Sequence, residues 1–242
     1  MALHFVTPDA TAATAGSVVA LTGAEAKHAA VVRRVRIGEP ITLGDGAGTW
    51  LEGEVASAAP GLVEVRIFSR RQDPRPDPRI LLVQALAKGD RDELAVQAAC
   101  ELGVDEIVPW QAARSVSRWE GAKAAKGRER WSTIVREAAK QAHRSWIPEV
   151  ADVETTADLV RRAAAQRVLI LDPTAPAALS ALVQDERDLV LVVGPEGGIA
   201  PEEIDRLVAA GAERVLLGDT VLRTSTAGPA AIAVLNVARG RW

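Results

Sequence analysis

Apolar positions in the first third of the chain come in short runs, and those in the rest alternate between strand and helix periods. Leu3 to Val6 and Ser17 to Leu21 read as short strands, and Gly23 to Val32 as a short helix carrying His28. Ile41 to Leu43, Trp50 to Val55 and Leu62 to Phe68 read as further strands, punctuated by Gly44, Gly46, Gly48 and Gly61. Short strands with glycine turns predict a small β-barrel. Ser69 to Arg79, SRRQDPRPDPR, ends this pattern: its prolines and alternating charge suit neither a helix nor a central strand, and predict a semi-rigid linker. The expected organisation is a first domain over 1–72, a linker over 73–79 and a second domain over 80–242.

The second domain opens with a strand, Ile80 to Leu86. Lys88-Gly89-Asp90 follows, then a helix to about Leu102 with Leu94, Ala98 and Leu102 on one face, and Gly103 ends it. Val104 to Val108 reads as a strand, Thr155 to Ala165 as a helix, Arg167 to Leu171 as a strand ending at Asp172-Pro173, and Pro176 to Val183 as a helix. The apolar run Leu189 to Val193 is short and rich in β-branched residues, as a buried strand is. It stops at Gly194-Pro195-Glu196-Gly197-Gly198. Pro201, Glu202 and Glu203 suit the first turn of a helix whose apolar face is Ile204, Leu207 and Val208 and whose C′ residue is Gly211. Arg214 to Leu217 is the next strand, ended by Gly218, and Val221 to Ala227 leads into an apolar segment. Strands alternating with helices predict an α/β domain with a parallel sheet. Ligands of such sheets sit beyond the carboxyl ends of the strands, where both glycine loops fall. One such loop alone is an ordinary tight turn; two after neighbouring strands, followed by Leu222-Arg223-Thr224, point to a binding site.

Composition narrows the picture. The 242 residues are enough for one large domain or two small ones. The single cysteine, Cys100, excludes an internal disulfide framework and sits in a helical pattern, where it reads as a small buried hydrophobe. No run reaches the length of a membrane span and no signal pattern opens the chain, so a cytoplasmic protein is expected. The net charge of -3 speaks weakly against nucleic acid, but an average hides local patches. One patch is Arg33, Arg34 and Arg36. Another runs from Arg114 to Arg144, where Arg114, Arg118, Lys123, Lys126, Arg128, Arg130, Arg136, Lys140 and Arg144 outnumber Glu120, Glu129 and Glu137. Trp119, Trp131 and Trp146 are interleaved with it. Such a band is either a solvated helix face or an RNA surface with aromatics for base stacking. His28 has no second ligand at a useful spacing, so no metal site is expected. No Gly-x-Gly-x-x-Gly follows a strand and no Gly-Lys-Ser/Thr loop exists, which leaves dinucleotide and phosphate-loop chemistry unsupported.

The residues Gly194-Pro195-Glu196-Gly197-Gly198, Leu217-Gly218, Leu222-Arg223-Thr224 and Thr226-Ala227 resemble the signature of the RsmE family. These are methyltransferases of the SPOUT superfamily that modify uracil N3 in small-subunit (16S) ribosomal RNA. Lys88, Glu93, Gln97 and Glu101-Leu102-Gly103 resemble the family's first block, Arg114-Ser115 its second, and Glu137-Ala138, Lys140-Gln141, Arg144 and Pro148 a further one. Lys27-His28, Val32-Arg33-Arg34 and Asp45-Gly46 are similar to its N-terminal domain. The chain departs from the family at Ser225, where many members have Glu, and at His143, where a small residue is common. The resemblance implies a PUA-like RNA-binding β-barrel followed by an α/β domain whose trefoil knot binds S-adenosylmethionine, and a homodimer. It places Leu171, Gly194, Pro195, Glu196, Gly197, Gly198, Leu217, Gly218, Leu222, Thr224, Thr226 and Ala227 at the cofactor. Together with the basic band, which supplies Arg118 and Lys123, it places Arg33, Arg34, Lys88, Arg114 and Arg144 at RNA.

N3 of uracil carries a proton that must leave as the methyl group is attacked, and negative charge then builds on the flanking carbonyls. A guanidinium would stabilise it. Arg223 is the candidate, either for that role or for positioning RNA, and a structural arginine holding its loop is the competing assignment. No base is assigned. A non-catalytic RNA-binding or ribosome-assembly factor, and a knotted methyltransferase for another RNA such as a transfer-RNA ribose, stay open from sequence. Thr226 to Val237, TAGPAAIAVLNV, is apolar nearly all round, and a second copy of the chain is the expected cover.

Overall fold

The computed structural model describes residues 2–183 and 185–242, which form two units. One holds residues up to Arg75 together with Ala139–Ile147, and the other holds Pro76–Ala138 and Pro148–Trp242.

The first unit contains β1 (Leu3–Val6), β2 (Val18–Thr22), β3 (Pro40–Gly44), β4 (Thr49–Ala59) and β5 (Leu62–Gln72) in the order β1-β3-β4-β5-β2. Only β1 and β3 pair in parallel. The sheet is a half-barrel around Phe5, Leu21, Leu43, Leu51, Val65 and Ile67. The expected helix at Gly23 is α1 (Gly23–Lys27), which loosens into a π-helical turn, His28–Arg33, closed by Arg34 with φ 55°. Strand β5 extends through Ser69–Gln72, where the linker was expected to begin, because the prolines start only at Pro74 and the amides before it are free to pair with β4.

Ala139–Ile147, distant in sequence, completes this unit. Trp146 bridges to Ala47, the Ile147 amide donates to Gly46 O at 3.0 Å and Trp146 Nε1 donates to Asp73 O at 3.0 Å. Lys140, 6% exposed, pairs with Glu25 at 2.9 Å. His143 takes a left-handed backbone, φ 54°, and its ring lies 5.9 Å from that of His4. A small residue suits such a conformation better, so His143 sits there at a conformational cost. His4 stacks on Trp50 and is buried, and its pKa falls to about 4, mainly by desolvation and then by the charges of His143 and Lys140.

The second unit is a wholly parallel sheet of β6 (Ile80–Ala85), β7 (Glu106–Trp110), β8 (Glu149–Val150), β9 (Arg167–Leu171), β10 (Leu189–Val193) and β11 (Glu213–Val215), in the order β11-β9-β10-β6-β7-β8. The α/β expectation is met. Its helices are α2 (Arg91–Glu101), α3 (Ala122–Gln141, whose last turn belongs to the first unit), α4 (Thr156–Ala165), α5 (Pro201–Ala209) and α6 (Thr224–Ala238). Some expectations for helices fail: Val208, expected on the apolar face of α5, is exposed. Pro176 to Val183 holds only a 3-10 turn, Leu179–Ala181, with Val183 exposed. Helix α2 buries Asp92, Ala95, Val96, Ala99 and Cys100, not Leu94, which is half exposed. Its small residues let it pack closely on α6. Among the described residues no helix is long and apolar enough to cross a membrane.

Candidate active site

Four neighbouring parallel strands, β11, β9, β10 and β6, end along one sheet edge. The chain beyond β10 and β11 forms the glycine loops, and a cavity of about 800 Å³ lies between them. Leu171, Gly194, Pro195, Glu196, Gly198, Leu217, Gly218, Leu222, Thr224 and Ala227 line it, as does Arg223. Gly197 and Thr226 do not. Gly194 is packed so tightly that a Cβ there would lie 2.7 Å from Ile199 Cγ1. Gly198 has φ +71°, a conformation that only glycine adopts without strain.

Two carboxylates are fixed in the wall. Burial alone would raise Glu196, but its own amide, the Lys88 amide at 3.0 Å and Arg91 at 2.9 Å outweigh that and hold it below the usual carboxylate range. Burial likewise opposes ionisation of Asp172, and the Thr174 amide and hydroxyl with Arg214, at 2.7–2.8 Å, outweigh it. Asp172, Thr174, Arg214 and Arg91 are cavity residues that the sequence reading missed. Asp172-Pro173 was visible as a strand end, but nothing local showed that Arg214 would reach it.

Arg223 occupies the N-cap position of α6, is exposed, and makes no side-chain hydrogen bond or ion pair among the described residues. An arginine that holds its loop by hydrogen bonds is therefore not what the geometry shows. Ser225, in the first turn of α6, is half-buried and outside the lining. No histidine lines the cavity. Among the described residues no group of three or more His, Cys, Asp or Glu is placed to hold a metal ion.

The basic residues divide. Arg33 and Arg34 are exposed beside Arg36 in the first unit. Lys88 and Lys123 are exposed; Arg114 donates to Gly197 O at 3.0 Å and Arg118 to Ala113 O at 3.2 Å. Arg144 is half-buried in the first unit. Elsewhere in the band Arg128 bonds Val150 O and Asp152, and Arg130 holds Glu93 at 2.8 Å. The interleaved indoles are not free platforms. Trp131 is buried with Trp119 edge-on at 5.1 Å, and Trp146 is bonded to Asp73.

The cavity suits a ligand with a positive centre, an amino acid tail and a flat ring. Two ionised carboxylates stand in the cavity wall, loop backbone is available to polar edges, and Leu171, Leu217 and Leu222 give an apolar side. S-adenosylmethionine has these parts.

Comparisons with known proteins agree. Residues 74–236 match the family described as RNA methyltransferase domain, and residues 21–68 match RNA methyltransferase PUA domain. The chain is 44% identical over 233 residues to ribosomal RNA small subunit methyltransferase E of Mycobacterium bovis, covering 94% of this chain and 89% of that one. It is 32% identical to the protein of that name from Bacillus subtilis, covering 89% and 88%. The crystal structure of a ribosomal RNA small subunit methyltransferase E from Neisseria gonorrhoeae, bound to S-adenosyl methionine, superposes with a TM-score of 0.88 at 29% identity over 98% of both chains. The chain belongs to the ribosomal RNA small subunit methyltransferase E family.

Proposed function

We propose that this protein transfers the methyl group of S-adenosylmethionine to N3 of a specific uridine in 16S ribosomal RNA. The observation that carries the reading is the cavity between the two glycine loops, with an unpaired guanidinium, Arg223, in its wall. The cofactor supplies a methyl group on a sulfonium whose charge disappears on transfer. Gly194, Pro195, Gly198, Leu217, Gly218 and Leu222 hold it by backbone and apolar contact; Gly197 and Thr226, exposed and outside the lining, take no part in this. Arg223 faces the negative charge that grows on the uracil carbonyls as the N3 proton leaves. A charge met by a prepared donor lowers the barrier without reorganisation. Lys88, Arg33, Arg34, Lys123 and the rim residues Arg114 and Arg118 contact RNA phosphate, with Arg144 contributing from the first unit. The first unit is the PUA-like RNA-binding domain, and the assembling small subunit in the cytoplasm is the place of action.

Mass mapping of nucleosides in ribosomal RNA from a strain lacking the gene, then treated with the pure protein, tests this. Restored 3-methyluridine is expected. Methylation of another atom, or of transfer RNA, overturns it.

A homodimer belongs to the same reading. Helix α6 buries Thr224, Gly228, Ala231, Ile232, Leu235 and Asn236 against its own unit, while Val237 and Leu94 of α2 are exposed and Ala230, Ala233 and Val234 half-buried. The apolar strip left over is what a second copy covers. Ala231 is fully buried within one chain, so the clean disruptive change is Ala233→Glu. Sedimentation equilibrium is expected to show a dimer that this change dissociates; a wild-type species of single-chain mass sinks the assignment.

A further inference from the structure

Strand β6 is buried at every residue, and all are apolar except Gln84. Gln84 is fully buried. Its Nε2 donates to Thr224 Oγ1 at 2.9 Å and to Ala85 O at 3.2 Å, while its Oε1 has no partner among the described residues. An unmet buried acceptor is a net cost to folding, which an apolar side chain of the same length would avoid. The two donated bonds offset that cost only in part, so stability alone is a weak reason for a glutamine here.

The donation to Thr224 gives a stronger one. Because the Gln84 amide donates into Thr224 Oγ1, the hydroxyl proton is directed elsewhere, to Gly194 O at 2.8 Å. Turning the amide over would let Oε1 accept that proton, release Gly194 O and strand Nε2, so the orientation with both amide protons used is favoured. Thr224 opens α6 immediately after Arg223, and Gly194 is the first residue beyond β10. One chain of hydrogen bonds thus joins the end of β6, the start of α6 and the first glycine of the loop 194–198. Thr224 and Gly194 line the cavity; Gln84 does not.

We propose that Gln84 is a positioning residue that sets the cofactor cavity through Thr224. The proposal rests on the assignment of that cavity to S-adenosylmethionine. By fixing the Thr224 proton it holds two loops in register and keeps them there before the cofactor arrives, so the cofactor need not order them.

Calorimetry with S-adenosylmethionine on the full chain tests this. Gln84→Met keeps length and volume and removes the amide. The Kd is expected to rise about tenfold, while the thermal midpoint without cofactor holds or rises because the orphaned acceptor is gone as well. A lower midpoint with an unchanged Kd would mean a merely structural glutamine and overturns the proposal. In a Thr224→Val background Gln84→Met is expected to add nothing; additive losses also overturn it. Should Gln84→Met not fold, Gln84→Glu decides. Its carboxylate accepts from Thr224, so binding is weak at alkaline pH and recovers as the carboxyl takes a proton and donates again; a Kd flat with pH refutes the relay. Leu222→Asp checks the cavity itself. If it leaves Kd intact, the cavity assignment fails, whatever Gln84 does.

Discussion

The two glycine loops and the basic band from Arg114 to Arg144 were both conspicuous in the sequence, and they fared differently. In the loops, residues act through backbone shape, and shape is local: Gly194 and Gly198 occupy conformations or clearances that another residue strains. In the band, residues act through charge, and charge is available only if nothing in the fold takes it up. Arg128, Arg130 and Lys140 are paired with Asp152, Glu93 and Glu25. Counting cations overstates a surface; the loop reading depends on conformation and clearance, which Gly194 and Gly198 supply and Gly197, outside the lining, does not.

The comparison is tested hardest at Arg223, a charge on the loop side with no partner. Arg223→Ala is expected to slow methyl transfer by about a hundredfold or more, with cofactor affinity nearly unchanged. Single-turnover transfer of labelled methyl beside calorimetry measures both, and equal losses would make it a structural residue like those of the band.

The inward end of the band should show in stability. The folded pKa of His4, about 4, lies below the ordinary 6.5. The unfolded chain therefore takes up a proton as pH falls through 6.5, while the folded one resists until about 4. Stability is full above that window and is lost across it, by about 3 kcal/mol at most. Urea midpoints across the window should fall in wild type and much less in His4→Phe.

Gly198→Val should weaken cofactor binding about tenfold to a hundredfold, the strain of a left-handed branched residue. Gly197→Ala should be nearly silent, since a Cβ there is in ordinary contact with Arg114. Equal damage at both would mean that the loop is sensitive to bulk, not conformation.

The smallest effect distinguishes free from paired charge. Lys123→Ala with Lys126→Ala, both exposed, should reduce RNA affinity a few-fold and lower the salt slope by about 1–2. Arg130→Ala should leave that slope unchanged.

Strands β9 and β10 were legible to the residue because a short continuous β-branched run has few other readings. The register of α2 was not, since Ala95, Ala99 and Cys100 face inward by virtue of smallness, which hydrophobic periodicity weighs too little against Leu94. Gln84 passed unnoticed as one polar letter in an apolar strand, and the Asp172–Arg214 pair spans 42 positions that no local pattern connects. Backbone turns were visible beforehand; pairs made by distant partners needed the fold.

The chain's first unit ends at Arg75 but resumes at Ala139–Ile147, and that return has a genetic corollary. A gene cut at the proline-rich stretch would encode an N-terminal product without Trp146, Ile147 and Lys140, and so without the bonds these make to Asp73 O, Gly46 O and Glu25. Such a product would lack part of its own unit, so the two units are interdependent at the level of the reading frame.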